Sequence, residues 1–413
     1  MNLFQPLRNR GFASLWASYT LSIVATTILP TAITLAILDW KAGLGDLGVA
    51  LSARTLGFLA GALVGGQVSD RFPRQQVLAV SSALRGVSVL AVAWLFLRDV
   101  PAIAYCLFLV GAGEGTFRSA YQSMMPEVLK EELLQQGNAL TTLSARVIQT
   151  AGPVLAVMLY EIFGARISLS ISGGCWLAAA GTVFLQRRTF PTAKRRDIGS
   201  RIEIWAAYRD GLLEARRHRW FLVGLAVLLV WLGLGSSMQQ LMLPVVSRSS
   251  LGGNTFIGIA LGTYAAGALL GGVVLGYFKP KQPGLMAFGG LALYGLVPLA
   301  LATGSAPLIL IAYFLGGMGI ELFNIPWFTA IQHEVPRDLL GRVSSIDFLV
   351  SYGAAPLALS MLPLFIERFG ENASLLIAGF TVIIVPLLAL VLRSTRSFWP
   401  AAGFMDTELR CSS

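Results

Sequence analysis

The chain has 413 residues, 55% of them hydrophobic and only 13% charged, with a mean hydropathy of +0.70. Ordinary soluble domains are about one-quarter charged, so this chain lacks the polar surface that several soluble domains need, and a soluble enzyme on a membrane anchor is excluded. A net charge of +10 would suggest nucleic acid in a soluble protein, but here the placement of the charge decides its meaning.

Residues 1–10 lead into an apolar run too long for a signal-peptide core, so the first span is expected to be its own uncleaved insertion signal. Runs of spanning length follow at 12–38, 45–68, 76–97, 101–124, 138–163 and 166–186, then at 220–246, 255–278, 284–303, 306–330, 343–366 and 372–392. They predict an all-α integral membrane protein of about 12 transmembrane helices in two pseudo-symmetric six-helix bundles. The expected organisation is an N-terminal bundle over 1–186, a basic linker with an amphipathic helix over 187–219, a C-terminal bundle over 220–393 and a tail over 394–413. The linker carries KRR at 194–196 and ARRHR at 215–219.

With the termini placed inside, 22 of the 31 Lys and Arg fall in inner segments and five in outer loops, which predicts cytoplasmic termini, linker and tail. The remaining four, Arg54, Arg85, Arg118 and Arg146, fall within or at the edge of spans. The +10 is thus a topological address, and a nucleic-acid partner is excluded. Cys106, Cys175 and Cys411 stand singly, so neither a disulfide framework nor a metal site is expected. Without a P-loop, an ion gradient is expected to supply the work.

The halves repeat. AGALVGG at 60–66 returns as AGALLGG at 266–272, and GP at 152–153 is echoed by AP at 355–356. A duplicated six-helix unit is the sign of a transporter whose site lies between its repeats.

GQVSDRFPRQQVL at Gly66–Leu78 resembles the loop signature of the major facilitator superfamily, with Pro73 at the usual Gly position and Gln75 replacing a common basic residue. GEGTFRSAYQSMMPEVLKEELLQQGNAL at 113–140, GIELFNIPWFTAIQHEVPRDLLGRVSS at 319–345 and the central YRDGLLEARRHRW are similar to its macrolide-efflux and enterobactin-exporter branch. This resemblance implies two bundles rocking around a midplane cavity and export driven by proton exchange. It further implies a latch at Gly66, Asp70, Arg71 and Arg74 that closes the inner face. Gly276 stands where Asp70 repeats, so that latch is asymmetric. The first-span acid frequent in this branch is replaced here by SIVATTILP at 22–30, which moves any proton carrier elsewhere.

An ionised carboxylate in mid-span costs about 2.5 kcal/mol or more unless it is paired or hydrated, so Glu114 and Glu321 are proton-coupling or substrate candidates. Arg118 lies one helical turn after Glu114 and can either neutralise it or hold an anionic substrate through its planar donors. Arg146 is a weaker candidate that can also snorkel to the interface, and Asp347 is an inner-gate candidate. Gly152 and Pro153 suggest a helix bend or close approach. Tyr19, Tyr121, Trp231, Tyr264, Trp327 and Tyr352 are candidate aromatic walls, although aromatics in spans are more often packing.

The reading is therefore a monomeric exporter of the bacterial inner membrane, with a small amphipathic substrate, protons and lipids as partners and no cofactor or metal. The alternatives are a facilitator or importer of a nutrient, a membrane enzyme, and a non-transporting sensor.

Overall fold

The computed structural model describes residues 4–40, 43–186, 212–277, 281–336 and 339–398, and the chain divides into two units, Met1–Ile198 and Gly199–Ser413. Among the described residues all regular structure is helical, as lipid requires of a spanning backbone that must satisfy its own hydrogen bonds. Ten helical stretches among the described residues are long and apolar enough to cross a bilayer.

Unit 1 holds α1 (Arg10–Asp39), α2 (Leu44–Arg71), α3 (Arg74–Trp94), α4 (Val100–Val128) and α5 (Glu131–Leu185). Asn9 caps α1 by accepting from the amides of Gly11 and Phe12, and its own side-chain amide donates to Val128 O at the C-terminal end of α4. The 55 residues of α5 would extend for roughly 80 Å, over twice a bilayer core, but Gly164 breaks the helix with φ 73° and ψ 178°. Only glycine adopts that backbone without strain, and it parts α5 into two arms. The backbone stays helical through Gly152 and Pro153. Gly152 instead lies against α1, where a Cβ would fall 2.2 Å from Thr27 Cγ2.

Polar groups join these helices where the interior offers no water. Ser14 and Ser18 on α1 donate to Thr182 O and Ala179 O, and Ser172 donates back to Ala25 O, so the second arm of α5 is bonded along α1. Outward, α3 presents Val80, Val87 and Trp94, each well over half exposed and seven residues apart. An apolar stripe that would be a liability in water is the expected lipid face here.

The repeated sequence AGAL(V/L)GG performs the same packing in both units. In unit 1, a Cβ at Gly61 of α2 would lie 2.0 Å from Ala112 O of α4, and one at Gly111 would lie 1.9 Å from Arg54 O. Unit 2 comprises α6 (Arg219–Val230), a π-helical turn (Trp231–Ser236), α7 (Ser237–Ser250), α8 (Asn254–Tyr277), α9 (Pro283–Tyr294), α10 (Leu296–Thr303), α11 (Ala306–Glu334), α12 (Leu340–Phe369), α13 (Glu371–Ala389) and the short α14 (Arg393–Ser397). There a Cβ at Gly267 of α8 would lie 1.9 Å from Phe314 O of α11. Close backbone approach is therefore the use of both glycine repeats.

Where α6 begins, unit 2 holds an aromatic cluster in which Trp220, Phe221, Phe288 and Trp327 pack together. Phe398 enters it fully buried from the chain's last described residue, at φ 62°. Most of the expected amphipathic linker helix lies outside the described residues; from Leu212 onward, Glu214 is buried and bonded to Arg217 and His218.

Candidate functional site

Two charged constellations lie deep inside the helices, one in each unit. In unit 1, Arg54 Nη2 of α2 donates to Glu114 Oε2 of α4 at 2.8 Å, with about a fifth and a quarter of their side chains exposed. The α2–α4 glycine contacts bring these helices close enough for a bond between residues 60 positions apart. Helix spacing offers Glu114 a partner in Arg118, and tertiary packing supplies one in Arg54.

Behind that pair, Arg85 of α3 is 1% exposed. Its Nε donates to Ser81 O at 3.2 Å and its Nη2 to Ser82 Oγ at 3.1 Å and Ser22 Oγ at 3.5 Å. The guanidinium lies over the rings of Phe117 at 4.6 Å and Trp176 at 5.3 Å. These partners are neutral, so Arg85 is a buried cation held by dipoles and ring faces. Sequence reading gave it no role; the available signal was a lone arginine in an apolar run. Arg85→Met keeps most of the stem volume and removes the buried charge, so unit 1 is expected to gain about 1 kcal/mol or more of stability. Melting in detergent checks this, and a lower melting temperature would mean that the serine bonds outweigh the burial cost.

Arg118 is exposed on α4, and Tyr19 lies on α1. Tyr19 stacks on Tyr121 at 4.3 Å between ring centroids, and the Tyr121 hydroxyl bonds Thr141 at 3.1 Å. Arg146 is exposed on α5, where the Thr150 hydroxyl donates to its carbonyl. Of the loop signature, Arg74 Nη1 donates to Glu127 Oε1 and to Ser123 O at 2.8 Å, tying the start of α3 to the C-terminal end of α4. Arg71 is exposed; Gly66 and Asp70 lie in α2, with the Asp70 side chain outside the described set.

In unit 2, Glu321 of α11 is 9% exposed and close to Tyr264. Asp347 of α12 is 6% exposed and accepts from Trp327 Nε1 at 3.0 Å, joining α12 to the aromatic cluster. Tyr294 donates to Gln239 beside the π-turn, whose Gly235 lets the Tyr294 ring approach. A π-turn at this depth marks a site where helix regularity yields to packing or function. Among the described residues no cluster of His, Cys, Asp or Glu could hold a metal ion.

The profile of the Major Facilitator Superfamily matches residues 15–359. The enterobactin exporter EntS of Salmonella typhi is 24% identical over 96% of both chains. Macrolide efflux protein A of Streptococcus pyogenes is 23% identical over 93% of this chain and 96% of its own. Among solved structures, a peptide transporter POT in complex with sulfate superposes with a TM-score of 0.75 at 13% identity, covering 96% of this chain and 99% of that one. The nucleoside transporter NupG superposes with a TM-score of 0.74 at 12% identity, covering 94% and 99%. With its apolar helices, its paired glycine contacts and a match over most of its length, the chain belongs to the Major Facilitator Superfamily, a multi-pass transporter of the bacterial inner membrane and not an enzyme.

Proposed function

We propose that the protein is a secondary active exporter of an amphipathic small molecule, of siderophore or macrolide-like type, working by alternating access with proton antiport. The observation that carries this reading is its likeness, over nearly the full length, to relatives named for enterobactin export and macrolide efflux. Proton coupling is supported by the Arg54–Glu114 bond: an ionised Glu114 holds the guanidinium, and a protonated one releases it. Glu321, Arg146 and Asp347 serve in substrate handling and inner gating. The latch reading of Gly66, Asp70, Arg71 and Arg74 is supported by the bonds from Arg74 to α4.

Twelve spans follow if the two arms of α5 each cross and α12 joins the ten apolar stretches. Both termini and the 187–219 linker are then cytoplasmic, as the Lys and Arg distribution favours. The protein works as a monomer, with the basic linker on anionic inner-leaflet lipid.

Everted membrane vesicles with an imposed acid interior test the direction, with enterobactin and a macrolide as probes. Accumulation that a protonophore abolishes is expected. Accumulation only in right-side-out vesicles would overturn the reading in favour of an importer.

A further inference from the structure

Helices α2 and α3 both pack on α4 but hardly on each other, and between them lies a groove with a cavity of about 410 Å³. Val68 and Phe72 of α2 form one wall, Val77, Val80 and Leu84 of α3 the other, and Ala112 of α4 lies on the floor. Phe72, Val80 and Leu84 are exposed, and Val80 begins the apolar stripe that continues through Val87 and Trp94. The groove therefore opens on the face that α3 turns to lipid.

Its chemistry changes along its length. Ser81 and Thr116 also line it, but their hydroxyls donate to Leu78 O at 3.1 Å and Gly61 O at 3.4 Å, so the body of the groove offers an apolar surface. Polar character is kept for one end. Gln76 is exposed there, and Arg71, the exposed last residue of α2, stands one helical turn beyond Val68 on the same face. From Gln76 to Leu84 the α3 wall runs for about 12 Å, most of the roughly 15 Å that one leaflet contributes to the hydrocarbon core. A cation and an amide at the end of a leaflet-deep apolar slot fit a molecule with an anionic head and a hydrocarbon chain.

We propose that this groove is a binding site for an anionic diacyl phospholipid of the adjoining leaflet, with one acyl chain between Val68, Val80 and Leu84 and the headgroup phosphate at Arg71 and Gln76. The bound lipid fills the space that α2 and α3 leave open above α4. The inference is independent of the exporter reading, because it concerns the lipid face of unit 1 and holds equally for an importer. An amphipathic cargo fits less well. Its substituted body needs convergent polar partners, and the hydroxyls along the body of the groove already donate to backbone carbonyls. A plain hydrocarbon chain needs none.

Native mass spectrometry tests this on the full-length protein in detergent, offered equal amounts of phosphatidylglycerol and phosphatidylcholine with the same acyl chains. One phosphatidylglycerol is expected to stay bound, about fivefold in excess over phosphatidylcholine, the scale of one basic side chain at an anionic headgroup. Arg71→Gln should abolish that preference and Arg71→Lys should keep it, since lysine also meets a phosphate. Val80→Trp and Leu84→Trp fill the groove and should remove the retained lipid of both kinds. Val87→Trp, the same kind of change on the same lipid-facing stripe beyond the groove, should leave it in place. No preference in the unmodified protein, a preference that survives Arg71→Gln, or groove-filling variants that retain lipid as Val87→Trp does would overturn the proposal. Glycerol phosphate, the head without the chains, is expected not to bind, and its binding would replace the groove by a simple phosphate site. A macrolide that displaces the lipid and appears bound in its place would assign the groove to cargo and overturn the lipid reading.

Discussion

Glu114→Gln is expected to reduce gradient-driven efflux to the passive leak while the protein inserts and purifies normally. The carboxylate lies deep inside α4, 2.8 Å from Arg54 Nη2. Glutamine preserves the shape and can accept one bond from the guanidinium, so packing of α2 against α4 survives. It cannot take up or release a proton, and the bond to Arg54 no longer depends on protonation. Exchange of substrate across vesicles without a gradient should continue, since it needs binding and rocking but no net proton movement. Undiminished uphill efflux by the variant would remove Glu114 from the coupling role and turn attention to Glu321, a buried carboxylate of α11. Arg54→Gln should also weaken gradient dependence, because Glu114 then has no Arg54 guanidinium whose hold its protonation could switch.

Gly61→Ala is expected to destabilise the protein by about 3 kcal/mol or more, far beyond what a single methyl group normally costs. The added Cβ would lie 2.0 Å from Ala112 O and 2.8 Å from Ala112 Cα, and both neighbours are backbone, so no rotamer change relieves the clash. Helices α2 and α4 must separate, and with them the Arg54–Glu114 pair. Gly174→Ala makes the contrast within the same unit. Nothing lies within 4 Å of a Cβ there, and replacing a mid-helix glycine by alanine gains roughly 0.5–1 kcal/mol. Detergent melting of the two variants should move in opposite directions, and equal shifts would contradict the close-approach account of the glycine repeat.

The helices were legible in the sequence nearly to their ends. The run at 45–68 became Leu44–Arg71, and the run at 306–330 became Ala306–Glu334. Even the division between 163 and 166 fell at the glycine that breaks α5. The use of AGALVGG and AGALLGG for tight packing was legible too, because small residues four apart leave one face of a helix without side chains. The partners of the charged residues were not. Helix periodicity pointed from Glu114 to Arg118 and gave no sign of the bond that Arg54 makes to it from another helix. Nothing in the order of residues joined Trp327 to Asp347, Tyr294 to Gln239, or Arg85 to the rings of Phe117 and Trp176.

The division has a physical cause. In lipid each backbone must satisfy its own hydrogen bonds, so about 20 apolar residues have one solution, a helix, and composition and charge placement alone determined the class, the repeat and the expected orientation of this chain. Which faces meet is a separate question, decided by close contacts such as Gly61 on Ala112 and Gly267 on Phe314, which bring together residues dozens of positions apart. Tertiary structure alone decided that Glu114 would be paired across helices and that Arg85 would be sealed among neutral partners.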